Sequence, residues 1–329
     1  MAVYLVTGGC GFIGSHLADA LLGLGHAVRI LDDMSTGKAG NKPRRAELVV
    51  ADVADAAAVR GAMRGVDGCF HLAAVASVER SNRDWLGAHR ANLTGTVAVL
   101  DAARGANAAG PVPVVYASSA AVYGDSPQNP LSEDAAARPL SAYGADKLGC
   151  EQHAFVAGRV HGVPTFGLRF FNVYGPRQDP ASPYSGVISI FCDRLSAGRG
   201  ITVFGDGAQT RDFVFVGDVV RALLSAAGRA STDGPVCNVC TGRATSIRDL
   251  GAAIGGILGV AAEPDSGPPR SGEIRHSVGD PAAARRELGI RSWTELRAGL
   301  AETLRAVAAE RPGRRDPLRG AGDLRSGAA

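Results

Sequence analysis

Val3-Tyr4-Leu5-Val6-Thr7-Gly8-Gly9-Cys10-Gly11-Phe12-Ile13-Gly14 decides the fold of this chain. An apolar, β-branched run feeds straight into glycines at 8, 11 and 14. Residues 12–24 then carry apolar side chains at helical spacing. Three glycines in that pattern permit a tight turn, a close approach of backbone to a pyrophosphate, and close packing of helix on strand. The helix start offers unpaired N–H groups to phosphates. A glycine-rich turn alone is a weak signal, and its context strengthens it. The next strand, residues 27–31, ends at Asp32, which lies 18 positions past Gly14. That is near the spacing of a ribose-binding carboxylate. Such a carboxylate accepts hydrogen bonds from ribose hydroxyls and repels a 2′-phosphate, so NAD is expected and NADP is not.

Working outward, short β-branched runs alternate with helix-length segments. Strands are expected at 47–51, 68–72, 112–117 and 164–170, and helices at 55–64, 85–106 and 143–161. This alternation implies β-α-β units and an α/β doubly wound parallel sheet of the Rossmann type. Val3–Val6 and Val112–Val115 are apolar on both faces, as buried parallel strands require. After Gly175 the pattern breaks at Pro176, Pro180 and Pro183; a helix at 186–197 and short strands follow. Residues 1–175 are therefore expected to form a dinucleotide-binding domain, with segments of the second half returning to it. Residues 176–312 would mainly form a smaller α/β substrate-binding lobe, and 313–329 a flexible tail.

Composition sets the outer limits. A chain of 329 residues with 46% hydrophobic and 20% charged residues can fill a core for two lobes. A net charge of +3 is too weak and dispersed to indicate nucleic acid or membrane binding. No apolar run approaches the ~18 residues of a membrane span, and residues 1–7 lack a basic region before their apolar run. The six cysteines (Cys10, Cys69, Cys150, Cys192, Cys237 and Cys240) sit mostly in apolar runs at irregular spacing. That usage fits a reducing compartment, and a cytoplasmic protein is expected. Cys237 and Cys240 have no second pair and no nearby histidine. They are read as thiols of a strand at 236–241 and not as a metal site.

The chemistry is expected further along. Residues 112–117 lead to Ser118 and Ser119, a strand tipped with hydroxyls. Tyr143 and Lys147 follow at i and i+4, on one helix face. Only Lys38, Lys42 and Lys147 are lysines among 35 basic residues, so a lysine at this spacing is less readily accidental. Its charge favours the phenolate, which could then act as a base. Asp52 and Val53 end the third strand, where an adenine would lie. His71-Leu72-Ala73-Ala74 ends the fourth. Core packing accounts for Ala73 and Ala74 as well as cofactor contact does.

With these motifs in place, the sequence resembles the extended short-chain dehydrogenases/reductases of the nucleotide-sugar epimerase and dehydratase group. The likeness runs over roughly residues 1–310 through GGCGFIG, LDD, HLAA, SSAAVYG, YGADK, LRFFNVYGPRQ and GDGAQTRDFVFV. Within the group it is nearest to UDP-glucose 4-epimerases and their UDP-N-acetylglucosamine and UDP-glucuronate relatives. The resemblance implies Ser119, Tyr143 and Lys147 as catalytic residues. It implies NAD contacts at Gly8, Gly11, Phe12, Ile13, Gly14, Asp32, Asp52, Val53, Leu72, Ala73, Ala74, Asn92, Tyr143, Lys147 and Phe170. For a UDP-sugar it implies Ser77, Ser118, Asn172, Phe204, Arg211, Arg270, Glu273 and Ser277. Arg211 and Arg270 would clamp the diphosphate, and Glu273 would hold the uridine ribose. The helices at 85–106 and 143–161 resemble those that pair relatives into homodimers.

The same resemblance narrows the reaction. The 4,6-dehydratases carry Asp and Glu after the catalytic hydroxyl, and UDP-glucuronate decarboxylases carry Glu at the second position. Here Ala120 and Ala121 stand there, which leaves reversible redox at one carbon. Epimerisation at C4 of a UDP-hexose is the expected activity. Ser277, if it occupies the pocket position where glucose-restricted relatives carry tyrosine, leaves room for a 2-acetamido group. Ser77, Ser118, Ser119, Thr165 and Arg177 are available by type for a uronate, so UDP-N-acetylglucosamine and UDP-glucuronate stay open. An NADP-dependent ketosugar reductase and a non-catalytic nucleotide-sugar-binding protein are the rivals of a different class.

Overall fold

The computed structural model describes residues 1–180, 186–269 and 274–309. Arg270, Glu273 and the tail expected at 313–329 lie outside the described residues.

The first half runs β1 (Val3–Thr7), α1 (Phe12–Gly23), β2 (Ala27–Asp32), β3 (Glu47–Val50), α2 (Ala56–Met63), β4 (Gly68–His71), α3 (Val78–Arg83), α4 (Trp85–His89), α5 (Gly95–Arg104), β5 (Val114–Ser119), α6 (Ala142–His161) and β6 (Thr165–Phe170). The second half runs β7 (Asn172–Tyr174), α7 (Val187–Ser196), β8 (Thr202–Phe204), β9 (Thr210–Arg211), β10 (Phe213–Phe215), α8 (Val216–Ala227), β11 (Val236–Val239), β12 (Thr245–Ser246), α9 (Ile247–Leu258), β13 (Asp265–Gly267), β14 (His276–Ser277), α10 (Ala282–Leu288) and α11 (Leu296–Ala309).

Seven strands form one sheet in the order β11-β6-β5-β4-β1-β2-β3, all parallel. The chain order reverses between β1 and β4. At such a switch point the loops diverge and leave a crevice beyond the carboxyl ends of the strands. The register fixes what meets there: Thr7 lies beside Leu31 and His71, and Ser119 beside Phe170. Apolar side chains of β1, β5 and β6 meet α1, α8 and α10 on one face, with Val6, Leu17, Leu168 and Leu223 fully buried. On the other face Leu5, Val59, Val99, Val114 and Ala154 join α2, α5 and α6.

The second half is interleaved with this body. α8 packs on α1, and β11 extends the sheet beside β6. The strand expected at 236–241 ends at Val239, because residues 241 and 242 turn away to bond Asp212. A second core gathers Tyr174, Phe191, Ile201, Leu250 and Leu300 beneath three small sheets: β7 with β10, β8 with β13, and β12-β9-β14.

The helix expected at 85–106 is not a uniform α-helix. A π-helical turn, Arg90–Thr94, separates α4 from α5. Such turns mark places where a side chain is re-aimed at the cost of regular bonding. Here the turn contains Asn92. The short helix α3 breaks no apolar period and has no counterpart in the sequence reading.

Candidate active site

The glycine turn is shaped by contacts that side chains would block. Gly8 has φ +70°, and its N–H donates to Leu31 O at 2.8 Å. A Cβ on Gly8 would lie 2.8 Å from Ala73 N, and one on Gly14 only 2.2 Å from Gly8 O. The first α1 bond runs from Ser15 N–H to Gly11 O, and no side chain caps the helix. The amides of Phe12, Ile13 and Gly14 therefore precede the intrahelical ladder, and these residues line a cavity of about 820 Å³. An uncapped helix start with backbone held close beside it fits a pyrophosphate.

Asp32 is buried on the same wall. Its Oδ2 accepts the Cys10 N–H and its Oδ1 the Met34 N–H, both at 2.9 Å. A carboxylate has about four acceptor positions, so two remain for a ribose diol. Met34 takes the left-handed φ of +61°, which costs a non-glycine residue energy, and the Asp32 bond holds it there. Asp32→Asn is expected to weaken NAD binding about 10- to 100-fold, the equivalent of a charged hydrogen bond or two. Calorimetric titration of NAD into stripped protein reads this directly.

Opposite Gly8, a buried chain of polar groups fixes the end of β4. Thr7 Oγ1 accepts N–H from Leu72 and Ala73, both at 3.1 Å, so its proton goes to His71 Nδ1 at 2.8 Å. Thr96 donates to Asn92 O at 2.6 Å and accepts from His71 Nε2 at 3.0 Å. This donor accounting assigns the Nε2–H tautomer. Burial, and then the charge of Lys147, push the imidazole down to about 3, so it stays neutral. Asn92 is buried behind the cavity wall. Its Oδ1 accepts the Val75 N–H at 2.7 Å and its Nδ2 donates to Val75 O at 3.3 Å. It thus sets the backbone of Val75, which does line the cavity.

The hydroxyl-bearing end of β5 meets the start of α6. Ser141 caps α6 by accepting the Gly144 N–H at 3.0 Å. A Cβ on Gly144 would come within 2.5 Å of Ala121 O, so the helix start seats directly against the turn after β5. Ser119 Oγ accepts the Ala121 N–H at 3.1 Å. Tyr143 and Lys147 line the cavity together, the ammonium 5.8 Å from the Tyr143 ring centroid. Lys147 is 3% exposed and donates to Ala117 O at 2.8 Å, which anchors it to the β5 backbone.

The structure brings most of the expected residues to one cavity. Its walls include Asp52, Val53, Leu72, Ala73, Ala74, Ser77, Phe170 and Asn172 besides those above. Ser118 also borders it, yet its hydroxyl donates to Glu151 Oε1 at 2.5 Å inside the protein. Phe204, Arg211 and Ser277 stand apart, on β8, β9 and β14 of the second half, with Arg211 and Ser277 paired in register. Thr165 is corrected: it is fully buried at the amino end of β6, roughly 16 Å from the carboxyl end, and cannot reach a sugar. Arg177 borders the cavity with its guanidinium 2.7 Å from Asp19. The sequence reading missed the pair of Lys38 Nζ and Asp179 Oδ2, 3.0 Å apart, which ties the loop after β2 to the loop after β7.

Cys10 also sits at the glycine turn. Burial, reinforced by Asp32, pushes its thiol up to about 11, which keeps it protonated and unreactive. Among the described residues no group of His, Cys, Asp and Glu could hold a metal, and no helix is long and apolar enough to cross a membrane.

Comparison with known proteins agrees with this geometry. Residues 4–240 match the NAD dependent epimerase/dehydratase family, and the chain belongs to that family. It is 42% identical over 308 residues to the UDP-glucose 4-epimerase of Mycolicibacterium smegmatis, covering 91% of this chain and 96% of that one. The fold is similar to the UDP-glucose 4-epimerase of Thermotoga maritima solved with UDP-glucose (TM-score 0.88, 34% identity, 94% of this chain and 99% of that one). It is also similar to the Thermus thermophilus UDP-glucose 4-epimerase solved with NAD (TM-score 0.84, 34% identity, 93% and 99%). The cofactor is NAD, and the glycine turn, the uncapped α1 start and Asp32 are the residues that fit it.

Proposed function

We propose that this chain inverts C4 of a UDP-hexose of the UDP-glucose/UDP-galactose type by way of a transient 4-keto sugar. The observation that carries this is the convergence of Ser119, Tyr143 and Lys147 on the dinucleotide cavity, with Ala120 and Ala121 where elimination would need an acid or base. When bound, NAD supplies a reversible acceptor for the C4 hydride. Tyr143 as phenolate removes the proton of the 4-hydroxyl and later returns it to the inverted centre. Lys147, anchored on Ala117 O, places a fixed positive charge beside that phenol. Ser119 donates a hydrogen bond to the sugar oxygen. Inversion requires the sugar to turn over while the diphosphate stays held, and Asn172 and Arg211 are assigned to that holding.

One structural fact bears on the uronate alternative. Of the side chains available for a carboxylate, Thr165 is out of reach at the far end of its strand and the Ser118 hydroxyl is bonded to Glu151. The small Ser277 keeps UDP-N-acetylglucosamine as a second substrate by the same steps. We also assign a homodimer. Trp85 and Leu86 on α4 and Phe155, Val156 and Val160 on the neighbouring α6 are exposed large apolar side chains, a face that a second copy of the same helices would cover.

The test is to incubate the purified protein, without added cofactor, with UDP-glucose, UDP-N-acetylglucosamine and UDP-glucuronate side by side. The expected result is UDP-galactose from UDP-glucose with no net NADH and with NAD released on denaturation. No C4 epimer from any substrate, or a need for NADPH, overturns the reading.

A further inference from the structure

The GDGAQTRDFVFV segment contains an aspartate that the mechanism does not use. Asp212, between β9 and β10, is fully buried. Its Oδ1 accepts the Thr241 N–H at 2.8 Å and the Thr241 hydroxyl at 2.7 Å. Its Oδ2 accepts the Gly242 N–H at 2.8 Å and the Gly279 N–H at 3.4 Å. Those donors come from two separate segments, the turn after β11 and the segment after β14. A buried carboxylate costs much free energy unless it is fully bonded, and here both oxygens are.

The main chain of Asp212 adds the rest. Its carbonyl accepts the Asn172 N–H at 3.0 Å, and its N–H donates to Ser277 O at 3.0 Å. Arg211 precedes it in the chain. Three residues assigned to the sugar nucleotide are thus one covalent or one hydrogen bond from this single residue, although they lie 39 and 66 positions from one another in sequence (172, 211, 277). Nothing in the Rossmann glycine turn or around Lys147 touches it among the described contacts.

We infer that Asp212 is a positioning residue for substrate: its buried carboxylate pins the β9–β10 link to the turn after β11 and to the segment after β14, and so holds in place the main chain that bonds β7 and β14, so that Asn172, Arg211 and Ser277 face one UDP-sugar. The inference rests on the proposed UDP-sugar reading. It assigns Asp212 to binding and leaves hydride and proton transfer to the other lobe.

The experiment pairs Asp212→Asn with Thr241→Val. In Asp212→Asn the new NH₂ must face an existing donor on one side, Gly242 and Gly279 N–H or the Thr241 pair. Thr241→Val removes one donor to the carboxylate, together with an exposed acceptor of the Arg243 N–H, and keeps the Thr241 N–H. The expected result for Asp212→Asn is a roughly tenfold rise in the Kd for UDP and in KM, with kcat within about threefold and NAD content unchanged. Thr241→Val should shift Kd and KM in the same direction by less, and it carries the test alone if Asp212→Asn does not fold. Unchanged Kd and KM overturn the inference, as does a parallel fall in kcat, NAD content and thermal midpoint, which marks a general structural role. Wild-type protein is titrated first: if it binds no UDP, the underlying reading fails, whereas wild-type binding with unaltered variants overturns this inference alone.

Discussion

Tyr143→Phe is expected to lower kcat about 10²- to 10⁴-fold, the usual worth of a positioned acid-base group, while NAD content stays that of the wild type. The substitution removes one oxygen and keeps the ring. The ring packs beside Lys147, whose ammonium is 5.8 Å from the centroid and is independently held by Ala117 O at 2.8 Å. The α6 start is fixed by the Ser141 cap and by Gly144 against Ala121, neither of which involves the phenol. Nothing that shapes the cavity is lost, so the effect falls on the reacting proton. Turnover of UDP-glucose, read by chromatography of the products, and NAD released on denaturation measure both halves. A variant that keeps most of its turnover would show that another group moves the proton. Ser119, one step away at the β5 tip, would then be the first candidate.

The dinucleotide half of the site was legible because its residues are local in sequence. A glycine turn joins one strand to one helix, and the buried carboxylate of Asp32 ends the next strand. The meeting of Tyr143 and Lys147 on one cavity wall was legible because i and i+4 share a helix face. The π-helical turn at 90–94 was not, since apolar residues keep helical spacing through it, and the partner of its Asn92, the main chain of Val75, lies 17 residues away. The Asp212 hub was equally hidden, because its donors arise at 241, 242 and 279 and no local pattern joins them. Thr165 was misjudged although the sequence placed it: a hydroxyl at the start of a strand at 164–170 of a parallel sheet lies at the amino end, away from the crevice beyond the carboxyl ends. Two signals were available and unread. Arg169 is a charged residue in a strand whose six residues are all buried, and Glu151 follows Lys147 by four on the inward face of α6.

Those two residues carry the largest expected effect on stability. Arg169 Nε donates to Glu151 Oε1 at 2.8 Å and Nη2 to Oε2 at 2.7 Å, a bidentate pair with side chains 9% and 6% exposed. Around it, Ser118 donates to Glu151, and Arg169 Nη1 donates to the Tyr123 hydroxyl at 2.8 Å and to Glu133 O at 3.1 Å. Tyr123 passes its own proton to Asn238 Oδ1 at 2.6 Å, on β11. Burial works to discharge the guanidinium, but the bonds and charge of Glu151 outweigh it and raise its pKa. Glu151→Leu removes that counter-charge and leaves a buried cation behind, which costs about 3–5 kcal/mol. The thermal midpoint should fall by on the order of 10 °C, and urea unfolding should show the loss in full. Adding Arg169→Met to the same chain is expected to recover much of it, since a buried ion pair and a well-packed apolar pair differ little in net stability. Recovery will be incomplete, because Tyr123 and Glu133 O lose a donor that methionine cannot replace. A single variant within about 1 kcal/mol of the wild type, the range of an exposed pair, would mean that Tyr123 and Glu133 O alone satisfy the guanidinium. The junction of β5, β6 and α6 would then be held by packing and not by charge.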